Sequence, residues 1–267
     1  MTSLSLSRRL RSLPQWRWRH VVLPSLGLLV GLFSWWLLVQ LLARSAPVIA
    51  EFSPAAGFSQ LGVGLASGVL IRHASASLLR VAVGLILAVV VAVPLGLLLG
   101  LNHRLELATS AVFQFIRMIS PLSWMPIAVM VFGVGDAPVF FLLAVAAIWP
   151  ILLTITTAVR TVNPLYIQVA RSFAAEPLEI VSRVVLPAIR PSLLSSIRVA
   201  VGLIWVVLVP AEMLGVSSGL GYLILDCRDR LAYGELTAAL LLIGLIGWGL
   251  DSLLRALSHD DLSHAAH

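Results

Sequence analysis

The sequence predicts an all-α, polytopic membrane protein with six membrane-spanning helices. Three observations predict it. Of the 267 residues, 60% are hydrophobic and only 11% are charged, with a mean hydropathy of +1.02, a balance that excludes an ordinary soluble domain. The apolar residues gather in runs near the ~20 residues that cross a bilayer. The 18 basic residues are all Arg, and they cluster at the ends of those runs on alternate connections.

The elements follow in order. Residues 1–20 form a polar N-terminal segment with Arg8, Arg9, Arg11, Arg17 and Arg19. The apolar run 21–42 is 22 residues long, about 33 Å as a helix. A cleaved signal peptide has an apolar centre of only about 7–15 residues, so this run reads as an uncleaved span. Residues 43–74 are a mixed connector with Pro47 and Pro54. The second span, 75–101, carries Gly84, Ala88, Ala92, Gly96 and Gly100, one small residue every fourth position, a face on which another helix packs closely. A polar turn at 102–106 leads to a third span, 107–132, broken by Pro121 and Pro126 and holding Arg117. A charge at membrane depth faces a cavity or a partner; near the interface it snorkels to water. After a turn at 133–136 comes the fourth span, 137–159.

The stretch 163–198 is the longest polar interval, punctuated by Pro164, Pro177, Pro187 and Pro191. It predicts two short helices, 164–174 and 177–185, stopped at Leu186-Pro187. Leu165, Val169 and Phe173 recur at helical spacing in the first, and Leu178, Val181 and Val185 in the second. Such helices either lie on the lipid surface or dock a partner. The fifth span, 192–214, contains Pro210 and Glu212. A Gly-rich connector at 215–233, a sixth span at 234–257 and a polar tail at 258–267 complete the chain.

Six spans put both termini, the 102–106 turn and the 163–191 loop on one side. Eleven Arg residues then share that side and four lie opposite. The excess places the termini and the loop in the cytoplasm.

The same residues exclude several chemistries. With no Lys there is no Walker-type phosphate-binding lysine, so any ATP is bound by another chain. The net charge of +6 comes from Arg at run ends, not from a nucleic-acid-binding patch. His259, His264 and His267 sit in the tail, a solvated end in preference to a metal site. A membrane-embedded enzyme needs a nucleophile with a base, or paired carboxylates. No His lies in the apolar centre of a predicted span, and Glu212 is the only carboxylate well inside one. A stand-alone secondary transporter commonly shows two related halves, and no repeat is visible.

The 163–191 loop resembles the cytoplasmic coupling loop of permease subunits of bacterial ABC importers. Their pattern is Glu-Ala-Ala, three residues, Gly, nine residues, then Ile-x-Leu-Pro. It matches Gln168-Val169-Ala170, Ala174 and Val184-Val185-Leu186-Pro187 in spacing, with Gln168, Val169 and Ala174 as departures. The stretches SLLRVAVGLILAVVVAVPLGLLLGL, FIRMISPLSWMPI with FGVGD, and VPAEMLGVSSGLGYLI are similar, over about residues 75–257, to the branch for nitrate, sulfonate, taurine and bicarbonate. The resemblance implies a type I, MetI-like permease fold in the bacterial inner membrane, without catalysis, cofactor or metal of its own. It implies a homodimeric pore in membrane lipid, two copies of an ATP-binding cassette subunit, and a periplasmic substrate-binding protein, with no nucleic acid. The matched residues Gln168, Val169, Ala170, Ala174, Val184, Leu186 and Pro187 are the expected ATPase-coupling positions, with Ala170 packed in the ATPase groove. Arg117, Trp124 and Glu212 are the expected pathway residues, Arg117 to attract an anion and Glu212 either to pair with Arg117 and orient it or to gate. Because Ala resists the positive φ that Gly permits, either the turn at Ala174 is gentle or the bend falls at Ala175-Glu176.

Overall fold

The computed structural model describes residues 15–264; most of the 1–20 segment and the last three residues lie outside the described residues. The helices are α1 (Gln15–Ala43), α2 (Pro54–Ala66), α3 (Val69–Leu101), α4 (His103–Arg117), α5 (Met125–Phe132), α6 (Asp136–Thr161), α7 (Pro164–Ser172), α8 (Pro177–Ile180), α9 (Leu186–Gly215), α10 (Leu220–Asp229) and α11 (Tyr233–His264). Among the described residues five helical stretches are long and apolar enough to cross a membrane, and α4 with α5 makes a sixth if that bent pair counts as one span.

The core is the α3–α6–α9 layer. Ala88 and Ala92 of α3, Leu142, Leu152 and Ile155 of α6, and Ile204 and Leu208 of α9 are buried in one cluster. The small-residue face of α3 makes this possible. A Cβ added at Gly84, Gly96 or Gly100 would lie 2.6, 2.9 and 2.6 Å from the Cβ of Leu143, Ile155 and Val159 of α6. Lipid is as apolar as a side chain, so helices in a bilayer adhere by close packing, which small residues permit. By contrast α1 stands at the edge, packing on α2 and the Pro47–Phe52 turn and exposing Leu28, Leu29 and Phe33.

Five expectations change. The 43–74 connector is mostly helical: the Ala56 N–H donates to Ser53 Oγ (3.3 Å) to start α2. The second span begins at Val69, which draws His73 into the helix. The third span is not a kinked rod but two arms bent by 86°; Asn102 caps the first, accepting from Arg104 and Leu105 N–H, and Pro121 opens a separate short turn. Leu186-Pro187 does not stop a helix. Leu186 N–H bonds the Val181 carbonyl, five residues back, in a π turn over Val181–Val185. That wider turn carries the chain past a proline with no N–H to give. The result is one helical rod, Pro177–Gly215, of 39 residues. At the chain's end α11 runs through His264, so 258–264 continue the sixth span's helix.

Candidate functional site: a coupling face and a buried charge cluster

Two places concentrate the chemistry, and they lie at opposite ends of the core. The first is the loop between α6 and α9. Leu165 N–H donates to Asn163 Oδ1 (2.9 Å), which starts α7. The helix ends in a two-bond cap: Ala174 N–H to the Arg171 carbonyl and Ala175 N–H to the Ala170 carbonyl. This cap places its C′ residue in the left-handed region and normally takes Gly there. Ala174 takes it with φ 55°. Both expectations for this turn are therefore corrected: the turn is sharp, and Ala174 itself makes it, at a cost of about 1–2 kcal/mol. The Glu176 N–H then donates to Glu179 Oε2 (3.2 Å), half of a capping box that starts α8.

The loop has two faces. Ile167, Ala170, Ala175, Val184 and Leu186 pack on this chain's own core. Leu165, Tyr166, Val169, Phe173 and Leu178 point away from it, Phe173 being 83% exposed. Of the motif positions, Gln168, Val169, Ala174 and Pro187 are thus outward, while Ala170, Val184 and Leu186 are inward. The small side chain of Ala170 is half-buried against its own chain.

The second place lies at the other end of α6 and α9. Glu212 is fully buried. Its carboxylate accepts from Arg80 Nη1 (2.6 Å), Ser77 Oγ (2.8 and 2.9 Å) and Gly221 N (2.8 Å). Arg80 also donates to Asp136 Oδ1 from Nε (2.9 Å) and Nη2 (2.7 Å), and to the Ser218 carbonyl (2.8 Å) and Oγ (3.0 Å). Leu220 N–H donates to Ser77 Oγ (2.8 Å) and Gly219 N–H to His73 Nδ1 (3.1 Å). Burying charge is costly unless it is paired and hydrogen-bonded, and here every donor is directed. Gly219 is required: its φ is +110°, and a Cβ there would lie 2.4 Å from Arg80 Nη1 and Glu212 Oε1. An open cleft of ≈ 570 Å³ lies beside the cluster, lined by Arg80, Gly135, Asp136, Ser217, Ser218 and Tyr222 among others.

The expected Arg117–Glu212 pair does not form, because Glu212 is satisfied by Arg80. Arg117 is exposed at the end of α4 and has no ion pair among the described residues. Trp124 lies in the turn after it, half-buried, its indole Nε1 without a hydrogen-bond partner among the described residues. Arg80, Ser77 and Asp136 escaped the sequence reading. The signal was present: Arg80 sits inside the predicted second span, and the cost that singled out Arg117 applies to it equally. Cys227 of α10 is buried, and burial, then Glu235, pushes its thiol up to about 11, so it is no reactive thiol.

Known proteins resemble this chain in sequence and fold. Residues 92–259 match the family model of the binding-protein-dependent transport system inner membrane component. The chain is 36% identical over 178 residues to a bicarbonate transport system permease of Synechococcus elongatus, covering 66% of this chain and 64% of that one. It is 29% identical over 262 residues to the taurine transport system permease of Escherichia coli, covering 94% and 92%. An inward-facing structure of the MetNI methionine ABC transporter superposes with a TM-score of 0.55 at 21% identity, over 70% of this chain and 95% of that one, which bears out the MetI-like fold. With an all-helical multi-pass body matched through its core and its loop, the chain belongs to the inner-membrane permease family of binding-protein-dependent ABC importers, which move solute while a separate subunit hydrolyses ATP.

Proposed function

We propose that this chain lines the pathway of an importer for a small anionic solute, of the sulfonate, taurine, nitrate or bicarbonate class. Two copies make the pore, two ATP-binding subunits dock at the 163–191 loops, and a periplasmic binding protein delivers the solute. The outward apolar face of α7 and α8 carries this reading. Leu165, Tyr166, Val169, Phe173 and Leu178 are bare, and Arg171, Glu176 and Glu179 surround them as exposed charges. An apolar centre with a charged rim is the anatomy of a docked interface. The excess of Arg on the connections of this side supports a cytoplasmic position for the loop and both termini in the inner membrane. A second copy is supported by α4, which buries none of its residues and exposes Leu107, Val112 and Phe115.

The anionic class has two supports. The relatives are named for bicarbonate and taurine transport. Arg117 offers an exposed guanidinium, without an ion pair among the described residues, at the break between the bent arms, and guanidinium binds planar or tetrahedral oxyanions through paired N–H donors. Trp124, in the turn that follows, is half-buried against the core and would contribute apolar surface. Glu212 lies behind Arg80 and holds the wall rather than meeting solute.

Purification of the tagged chain from its native membrane in mild detergent tests the reading. The expected result is an ATP-binding subunit at two-to-two stoichiometry, retained by wild type and lost in Phe173→Asp. Recovery of the chain alone, even after cross-linking, would overturn it.

A further inference from the structure

We infer that Arg80 is a positioning residue of the transport cycle, a clamp with one permanent and one releasable half. The inference rests on the importer reading for its role, but not for its mechanics. The two helices that leave the 163–191 loop end at the two carboxylates that Arg80 holds. Going back from the loop, α6 leads to Asp136 at its first residue; going forward, the Pro177–Gly215 rod leads to Glu212. At about 1.5 Å per residue α6 is about 39 Å long. A relative shift of the two helices at the loop must therefore be accommodated at Arg80.

The two halves differ in what happens when they part. The Arg80 and Glu212 side chains are 4% and 0% exposed. Separating them leaves a carboxylate in a dry site. Asp136 is 57% exposed and uses a single oxygen, Oδ1, for both of its Arg80 bonds. When Asp136 leaves, its charge passes into water. Arg80 keeps Glu212, the Ser218 carbonyl and Ser218 Oγ, so no buried charge is orphaned. The surroundings allow the departure. Asp136 follows Gly133 and Gly135, both at positive φ with open space where a Cβ would stand. The turn they form joins α6 to α5, the short arm of the bent pair. The ≈ 570 Å³ cleft adjoins Asp136 and Val134. Release of Asp136 thus frees the α5–α6 turn at the end of the pore away from the ATPase, while Glu212 keeps α3 and α9 joined.

Nitroxide pairs at V134C and S217C, on residues that line this cleft, test the clamp. Buried Cys227 is left in place, and labelled chains are diluted into unlabelled ones in lipid nanodiscs. The expected wild-type result is one dominant distance. Asp136→Asn adds a longer one, Asp136→Glu restores the single distance, and raising NaCl from about 0.1 M to about 1 M shifts wild type toward the longer one, because an exposed ion pair is screened. A distribution unmoved by both Asp136→Asn and salt would overturn the clamp. In the purified complex with its ATPase, Asp136→Asn is expected to raise hydrolysis without binding protein about fivefold, the low end of ordinary coupling between sites. Unchanged hydrolysis in that complex would overturn its role in the cycle. Should no ATPase accompany the chain, the importer reading fails, and the nitroxide distances still decide the clamp.

Discussion

α6 is pinned at both ends by an arginine and a carboxylate, and the two pins are built differently. At its start, Arg80 of α3 reaches Asp136 from a buried site shared with Glu212. At its end, Arg160 pairs with Glu106, both side chains half-buried but in contact with water, and contacts His103 Nδ1 (2.8 Å). The difference is one of dielectric. Removing one partner of a buried pair leaves a charge that water cannot reach, a loss of about 3–5 kcal/mol. An exposed pair is worth about 0.2–1 kcal/mol and is screened by salt. The Arg80–Glu212 half of the far end is therefore a fixed joint, whereas its Asp136 half and the loop-end pair, both within reach of water, can part at little cost.

The largest effect expected is from Arg80→Met, which strands Glu212. The folded chain should lose about 3–5 kcal/mol, read as a fall in thermal midpoint in mild detergent. A midpoint equal to wild type would erase the contrast between the two ends. Next comes Gly219→Ala, which drives a Cβ into Arg80 and Glu212 at a positive φ; a loss of about 2–3 kcal/mol is expected by the same measurement. Ala174→Gly works in the opposite direction. It removes the strain of φ 55° and should stabilise the α7 cap by about 1 kcal/mol, seen as slower hydrogen exchange at the Ala174 and Ala175 amides. The smallest effect is Glu106→Gln, expected to cost at most about 1 kcal/mol and to vanish at high salt. A loss there as large as that of Arg80→Met would show the loop end to be as rigid as the far end.

Much of this was legible in the residues. Leu165, Val169 and Phe173 marked one face of α7 by spacing alone, and that face is the bare one. The stripe from Gly84 to Gly100 marked where α6 packs. Pattern failed where two distant segments share a group. Glu212 and Arg117 are both charges in apolar runs, and sequence carries no distance between them. The motif position of Ala170 points to a partner, while helical rotation sets its half-buried side chain on the core beside Ile167. Pro187 predicts a stop by its chemistry, and the π turn that carries the chain past it leaves no compositional mark.

The sequence by itself determined the class of solvent around this protein, the number of apolar runs, and the amphipathic loop. Those depend on local quantities: run length against bilayer thickness, and side-chain spacing against helical period. Only the tertiary structure decided which carboxylate Arg80 holds, which side of α7 is bare, and that the loop's second helix and the fifth span are one rod. Charges find partners across the fold, and a buried one must be satisfied by whatever packing brings within reach.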